Sequence, residues 1–101
     1  QSHSYPEGGC LYFTFAAKTS PEERTSYHRQ VWEAGTRAAL AHGASLSHHH
    51  GVGLNRSRFV ADALGGAYDV LAATKAALDP NGILNPAKLG LPSPFGPPPS
   101  W

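Results

Sequence analysis

Three consecutive histidines are the feature of this 101-residue sequence that most directly suggests chemistry. His48, His49 and His50 precede a valine flanked by two glycines at residues 51–53. In an extended segment, His48 and His50 point to one side and His49 to the other. Imidazoles can transfer protons near neutral pH, donate hydrogen bonds to an anion, or bind zinc. A solvated histidine-rich loop is the alternative without a function.

Tyr12 is the second candidate, because it lies in the aromatic and apolar run of residues 10–17. The run is short and rich in aromatic residues, so we predict a strand buried on at least one face. Alternation places Tyr12 on the polar face, where its hydroxyl can act as an acid or base or bind substrate. The alternative is a core tyrosine whose hydroxyl reaches solvent or a carbonyl group.

The third motif is Leu-Asp-Pro-Asn-Gly-Ile-Leu-Asn-Pro at residues 78–86. Pro80 pre-sets a negative φ and Gly82 supplies a positive one, which predicts a tight turn. Taken by itself, this motif is a helix end, a turn and an apolar anchor, and its default interpretation is structural.

The elements that must position these residues follow from local patterns. Residues 1–9 are predicted to form a loop. Ser20 and Glu23 form a capping box with a proline between them, so a helix is predicted over residues 21–42. A histidine-rich loop, a short helix at 57–63 and a helix at 67–78 come next. The predicted class is α+β: one sheet strand, a long helix, a histidine-rich loop and two C-terminal helices. Residues 90–101 are predicted to form an extended or disordered proline-rich tail.

Composition excludes several classes of protein. Charged residues make up 15% of the chain, its formal net charge is +1, and its basic residues are dispersed. Nucleic-acid binding would require a basic stripe or a known motif, and neither is present. No run of about 18 apolar residues predicts a membrane span. The single cysteine, Cys10, excludes an internal disulfide and fits a reducing compartment. The start at Gln1 rather than Met suggests a fragment or a processed product.

The three motifs together resemble one group of flavoenzymes. The histidine triplet with its glycines looks like the signature of alkyldihydroxyacetonephosphate synthases and their bacterial relatives. Residues 78–86 resemble the C-terminal signature of FAD-linked oxidases of the vanillyl-alcohol oxidase superfamily, and residues 4–13 resemble the strand that precedes both motifs. The resemblance extends from about residue 2 to residue 89.

The resemblance implies FAD as cofactor, bound by an upstream domain of the same parent chain. Residues 1–89 would then be the C-terminal part of the cap, or substrate, region, and residues 90–101 a tail. The resemblance implies catalytic roles for Tyr12, His49 and His50, cofactor contacts for His48, His49 and Asn85, and substrate contacts for Arg56 and Arg58. It implies no metal ligand. Such a fragment is expected to be inactive alone and to expose Leu11, Phe13 and Phe15 where they pack against the missing chain.

Three functions remain open at this level. The first is acyl-to-alkyl exchange on dihydroxyacetone phosphate in ether-lipid synthesis, with a lipid or other small molecule as substrate. The second is a FAD-linked dehydrogenase or oxidase of a 2-hydroxy acid such as D-lactate, favoured by Leu54 and Asn55 where the synthases are expected to carry basic residues. The third is a non-enzymatic metal-binding module. A cytoplasmic location is expected, and a peripheral membrane association and a homodimer are both compatible with it.

Overall fold

The computed structural model describes residues 1–97. The chain forms two compact units, Gln1–Ala34 and Gly35–Trp101, whose boundary falls inside the longest helix. Regular structure comprises a two-stranded sheet, four α-helices and one 3-10 turn among the described residues. The mixed class expected from the sequence is therefore found.

The first unit begins with a β-hairpin that the sequence did not predict. Strand β1 is His3–Tyr5, and strand β2 is Gly8–Cys10. The strands are antiparallel, with His3 opposite Cys10 and Tyr5 opposite Gly8. Pro6 and Glu7 form the connection, and proline at the first central position is typical of a tight turn. Residues 1–9 are thus a hairpin rather than the expected loop.

The strand predicted over residues 10–17 is wrong beyond Cys10. Residues 11–20 form neither helix nor strand. Pairing in the hairpin ends at Cys10, which lies opposite His3 and whose carbonyl oxygen accepts a hydrogen bond from the Ser2 N–H at 3.1 Å. The backbone after Cys10 therefore has no facing strand in the hairpin, and a strand needs one to satisfy its N–H and C=O groups. Leu11, Phe13 and Phe15 are 62%, 73% and 67% exposed, as the sequence led us to expect.

Helix α1 is Arg24–Ala41, within the predicted range of 21–42. The predicted capping box is present: the Glu23 N–H donates to Ser20 Oγ at 3.3 Å, and Ser20 Oγ donates to Glu23 Oε2 at 3.0 Å. Gly43 has a φ of +76° and its N–H donates to the Leu40 carbonyl oxygen, which closes the helix end. None of the described helices combines the length and apolarity needed to cross a bilayer.

The second unit contains three further helices. Helix α2 is Gly53–Ser57, helix α3 is Val60–Leu64 and helix α4 is Ala67–Leu78. The prediction for α4 is confirmed in full, and α3 lies mostly within the predicted helix of 57–63. Helix α2 was not predicted and begins at the end of the histidine-rich loop.

The buried apolar side chains of the described chain are Phe59, Val60 and Leu91. Phe59 is 0% exposed, and the guanidinium carbons of Arg37 and Arg58 lie 5.4 and 4.7 Å from its ring centroid. Arg37 also donates to Asp62 Oδ2 at 2.9 Å. The core of this unit is therefore small, and arginine contacts with the aromatic ring add to it.

The chain after α4 folds back onto the second unit. A 3-10 turn spans Lys88–Gly90, and the Tyr68 hydroxyl donates to the Gly90 carbonyl oxygen at 2.7 Å. Residues 91–97 contain neither helix nor strand, yet Leu91 is buried. A Cβ at Gly82 would lie 2.6 Å from Pro94 Cδ, so this part of the predicted tail packs closely on the turn. Residues 98–101 of that tail lie outside the described residues.

Candidate functional site

The histidine triplet lies in a closed loop of the second unit. Ser47 Oγ donates to the Gly51 carbonyl oxygen at 2.7 Å, and Gly51 has a φ of +74°. This hydrogen bond bends the segment, so the extended alternation considered for the three rings does not occur.

The bend brings the three imidazoles together. Ring centroids lie 3.7 Å apart for His48 and His49, 4.4 Å for His49 and His50, and 5.2 Å for His48 and His50. All three side chains are exposed. The result is a dense group of proton-transferring and hydrogen-bonding groups at the surface of this unit.

A depression of about 360 Å³ adjoins the triplet and is lined by residues 50–56. His50 and Arg56 contribute its ionisable side chains, and Val52 and Leu54 contribute apolar surface. Arg56 lies in α2 and is half-buried. A guanidinium is suited to carboxylate or phosphate, so the depression combines an anion-binding group with an imidazole.

The other predicted substrate residue, Arg58, is placed differently. Its guanidinium stacks over the Phe59 ring, and it is not among the residues that line this depression. The structure thus separates the two arginines: Arg56 adjoins the histidine loop, whereas Arg58 covers the core aromatic ring.

A second depression has a volume of about 240 Å³. It is lined by Gly53, Leu54, Ser57 and residues 87–89. Its lining is mainly apolar, and Lys88 supplies a positive charge. Gly53 and Leu54 line both depressions.

Asn85 lies in an unusual backbone segment after α4. Its φ is +46°, and those of Ala87 and Leu89 are +58° and +56°. Asparagine is one of the few residues that adopts this left-handed region readily, whereas alanine and leucine rarely do. Asn85 is exposed.

A buried ion pair fixes the start of this segment. Asp79 accepts hydrogen bonds from the backbone N–H groups of Ile83 and Leu84, at 3.0 and 2.9 Å. Lys75 donates both to Asp79 Oδ2 and to the Leu84 carbonyl oxygen. The hydrogen bond from Lys75 lowers the pKa of Asp79, burial opposes this by raising it, and the two backbone N–H groups lower it further. The pKa lies below its ordinary value.

The sequence did not lead us to this pair, because residues 78–86 were interpreted as a turn only. A signal was available in the i,i+4 spacing of Lys75 and Asp79 on one helix face. Tyr12 belongs to the first unit, in the irregular segment after β2, and its side chain is largely exposed. It is therefore not a core tyrosine of this unit.

Comparison with known proteins identifies the family. Residues 1–89 match the family described as "FAD linked oxidases, C-terminal domain". The chain belongs to this family. The resemblance seen in the sequence is confirmed, and FAD is the cofactor of the family.

Named relatives divide into two groups. Alkyldihydroxyacetonephosphate synthases of Trypanosoma brucei brucei and Dictyostelium discoideum are 39% and 37% identical over 92% and 87% of this chain, and the matched region is 15% of each synthase. The uncharacterized FAD-linked oxidoreductase YgcU of Escherichia coli is 34% identical over 83% of this chain, which covers 18% of its length. The chain thus spans less than a fifth of these relatives. No solved structure gives a significant match.

The residues present fit part of a flavin site. Clustered imidazoles and the exposed Asn85 amide offer hydrogen-bond donors of the kind that the carbonyl oxygens of a flavin accept. The two depressions, of about 360 and 240 Å³, lie at or below the lower end of the range for small-molecule pockets. These residues therefore suit contacts to the edge of the cofactor rather than enclosure of the whole dinucleotide.

Proposed function

We propose that this chain is the C-terminal, substrate-side (cap) region of a FAD-dependent enzyme in which a fatty alcohol replaces the acyl group of acyl-dihydroxyacetone phosphate and a fatty acid is released. The observation that carries the proposal is the histidine triplet, whose three rings gather beside the Arg56 depression. It gains support from the identity of 37–39% to two alkyldihydroxyacetonephosphate synthases.

The roles of the residues follow from their chemistry. His49 and His50 take up and return the proton at the substrate carbon next to the carbonyl group, which is work suited to imidazole near neutral pH. Arg56 binds the phosphate, with Arg58 as a further cation close by in sequence. Tyr12 assists proton transfer on the acyl group. FAD would supply the reactive flavin ring, and His48, His49 and Asn85 would hold that ring through hydrogen bonds.

The partner of this region in the proposal is an upstream FAD-binding domain of the same parent chain. The exposed aromatic segment at residues 11–15 supports this, because small monomers rarely expose a contiguous apolar patch of that kind. The small depressions support it too, since most of the cofactor must bind elsewhere. In this proposal the enzyme is cytoplasmic and meets its lipid substrate at a membrane surface.

A second candidate is a FAD-linked dehydrogenase of a 2-hydroxy acid. The identity of 34% to the FAD-linked oxidoreductase YgcU favours it, and so does Leu54. Because Leu54 is apolar, Arg56 is the one arginine or lysine among the described residues that line the depression. A single guanidinium suits a substrate with a single carboxylate.

The decisive experiment uses the full-length protein loaded with FAD and kept anaerobic. Acyl-dihydroxyacetone phosphate is added, and the flavin absorption and the released fatty acid are recorded. Bleaching with release of fatty acid is the expected result. No release, together with bleaching by D-lactate or another 2-hydroxy acid, would replace the first candidate by the second.

Substitutions then test the residues. His50→Gln is expected to lower kcat by about a hundredfold or more, the usual range for loss of a general acid or base. His42→Gln is the matched control, because His42 contacts the Ala38 carbonyl oxygen at the end of α1. Arg56→Ala is expected to raise KM by about tenfold through loss of a charge-assisted hydrogen bond. An equal loss of kcat in the control would show that the effect of His50→Gln is not specific.

A further inference from the structure

The ion pair at the end of α4 joins two points of the chain. Asp79 is the first residue after α4, and its side chain is 4% exposed. Lys75 lies one turn earlier and is 24% exposed. Its ammonium group donates to the Asp79 carboxylate and to the Leu84 carbonyl oxygen. The pair therefore ties the last turn of α4 to the residue immediately before Asn85.

Ending the helix does not require this arrangement. The Gly82 N–H donates to the Asp79 carbonyl oxygen at 3.0 Å, and the φ of Gly82 is +65°. A proline and a glycine in the turn are sufficient to stop a helix and reverse the chain. The carboxylate and the lysine also contact the backbone beyond the turn, at Ile83 and Leu84.

The segment of residues 85–89, which follows Leu84, adopts a backbone conformation of high energy. Ala87 and Leu89 have left-handed φ values, which crowd the Cβ of an L-residue against its own backbone. Such conformations persist only where the surroundings determine them, and they cluster at ligand-binding sites. The apolar side chains just before the segment contribute little, since Ile83 and Leu84 are 63% and 60% exposed. Polar contacts from Lys75 and Asp79 hold the backbone there instead.

We propose that Lys75 and Asp79 are positioning residues that hold Asn85 in place for its contact with FAD. The inference rests on the proposed contact between Asn85 and the flavin. Lys75 bonds to the carbonyl group of Leu84, so it acts on Asn85 through the backbone and not by touching the cofactor. Loss of the lysine bridge frees the residue before Asn85 to leave its hydrogen-bonded position.

The test is a double-mutant cycle in the full-length protein, read by the FAD dissociation constant. Lys75→Met and Asn85→Ala are each expected to raise this constant about fivefold, the equivalent of one lost hydrogen bond of about 1 kcal/mol. Because both changes remove the same contact, the double variant is expected to bind FAD no more weakly than either single variant. Lys75→Arg retains a cation and donors and is expected to restore most of the affinity. Lys18→Met, which removes an exposed lysine, is the matched control.

Amide hydrogen exchange supplies a second readout. Lys75→Met is expected to accelerate exchange at Ile83 and Leu84, whose N–H groups donate to Asp79. If Lys75 has a purely structural role, amide exchange at Ile83 and Leu84 is still faster in Lys75→Met, but the FAD dissociation constant of the double variant rises by the product of the two single effects. That result would overturn the inference. Asp79→Asn replaces Lys75→Met in the cycle if the latter does not fold.

Failure here is distinguishable from failure of the proposed reaction. FAD affinity is measured without substrate, so it reports on Lys75 whether or not acyl exchange occurs. If Asn85→Ala leaves the FAD dissociation constant unchanged, the positioning role of Lys75 and Asp79 is refuted. The acyl-exchange test is not affected by that result.

Discussion

Replacing Ala87 by glycine should stabilise the segment after α4. Ala87 has a φ of +58°, where its Cβ is crowded by its own backbone. Relief of this conformation is worth about 1–2 kcal/mol. Glycine also gains freedom in the unfolded chain, which costs about 0.5–1 kcal/mol. The midpoints of these two ranges differ by about 0.7 kcal/mol, so Ala87→Gly is expected to stabilise the segment locally by about that amount.

The prediction is stringent because its sign is unusual: replacing alanine by glycine ordinarily lowers the stability of a fold. Ala73 provides the matched control: it is exposed, lies inside α4 and has helical surroundings. Ala73→Gly is expected to destabilise its helix by about 1 kcal/mol. The same chemical change should thus have opposite effects at two sites about fourteen residues apart in the chain.

Native-state amide exchange in the full-length protein measures both effects locally. Ala87→Gly is expected to slow exchange at Leu91, whose N–H donates to the Lys88 carbonyl oxygen at 3.0 Å, by about two- to fivefold. Ala73→Gly is expected to accelerate exchange within α4 by about fivefold. Faster exchange at Leu91 in Ala87→Gly would show that the left-handed conformation is not a source of strain, and the reasoning about this segment would be wrong.

Three other outcomes are expected. Phe59→Ala should destabilise the second unit by about 3–5 kcal/mol, because it empties a fully buried site; exchange in α3 measures this, and a loss below about 1 kcal/mol would contradict the assignment of the core. Tyr68→Phe should lower the stability of the second unit by about 1 kcal/mol, because the hydrogen bond to the Gly90 carbonyl oxygen is lost. Amide exchange at residues 88–91 measures this, and an unchanged exchange rate would show that the bond is absent. The lowered pKa of Asp79 stabilises the fold above the ordinary aspartate pKa of about 3.9, and this contribution is lost as the pH falls through the lower folded value. NMR titration of the Ile83 amide should show that transition, and in Lys75→Met it should move to higher pH, because the hydrogen bond that lowers the Asp79 pKa most is lost.

Helices were predictable from this sequence where local chemistry determines them. The bounds of α4 follow from its alanine-rich composition and the Pro-Gly turn after it. The capping box of Ser20 and Glu23 was found as predicted, although α1 begins at Arg24 because residues 21–23 form a turn first. These signals lie within a few residues of the structure they determine.

The strand could not be predicted with the same success, because a strand depends on a partner. Residues 11–17 have the composition of a strand, but the pairing of the hairpin ends at Cys10. The hairpin itself was missed because Gly8 and Gly9 disfavour a strand, although the proline turn before them was a usable signal.

The site was predictable in its residue types and not in its geometry. His50 and Arg56 line the same depression, and the rings of the triplet gather in one loop. The stacking of Arg58 on Phe59 and the left-handed conformations of Ala87 and Leu89 depend on tertiary packing, for which the sequence holds no local signal.

The irregular segment after β2 has a practical consequence for handling the chain. Leu11, Phe13 and Phe15 alternate along an exposed backbone that lacks a facing strand. Exposed segments with high β-propensity and unpaired backbone groups are templates for pairing between molecules. We expect the isolated chain to self-associate through residues 11–15 as its concentration rises. Phe13→Lys is expected to keep it dispersed, as charged side chains do at natural sheet edges.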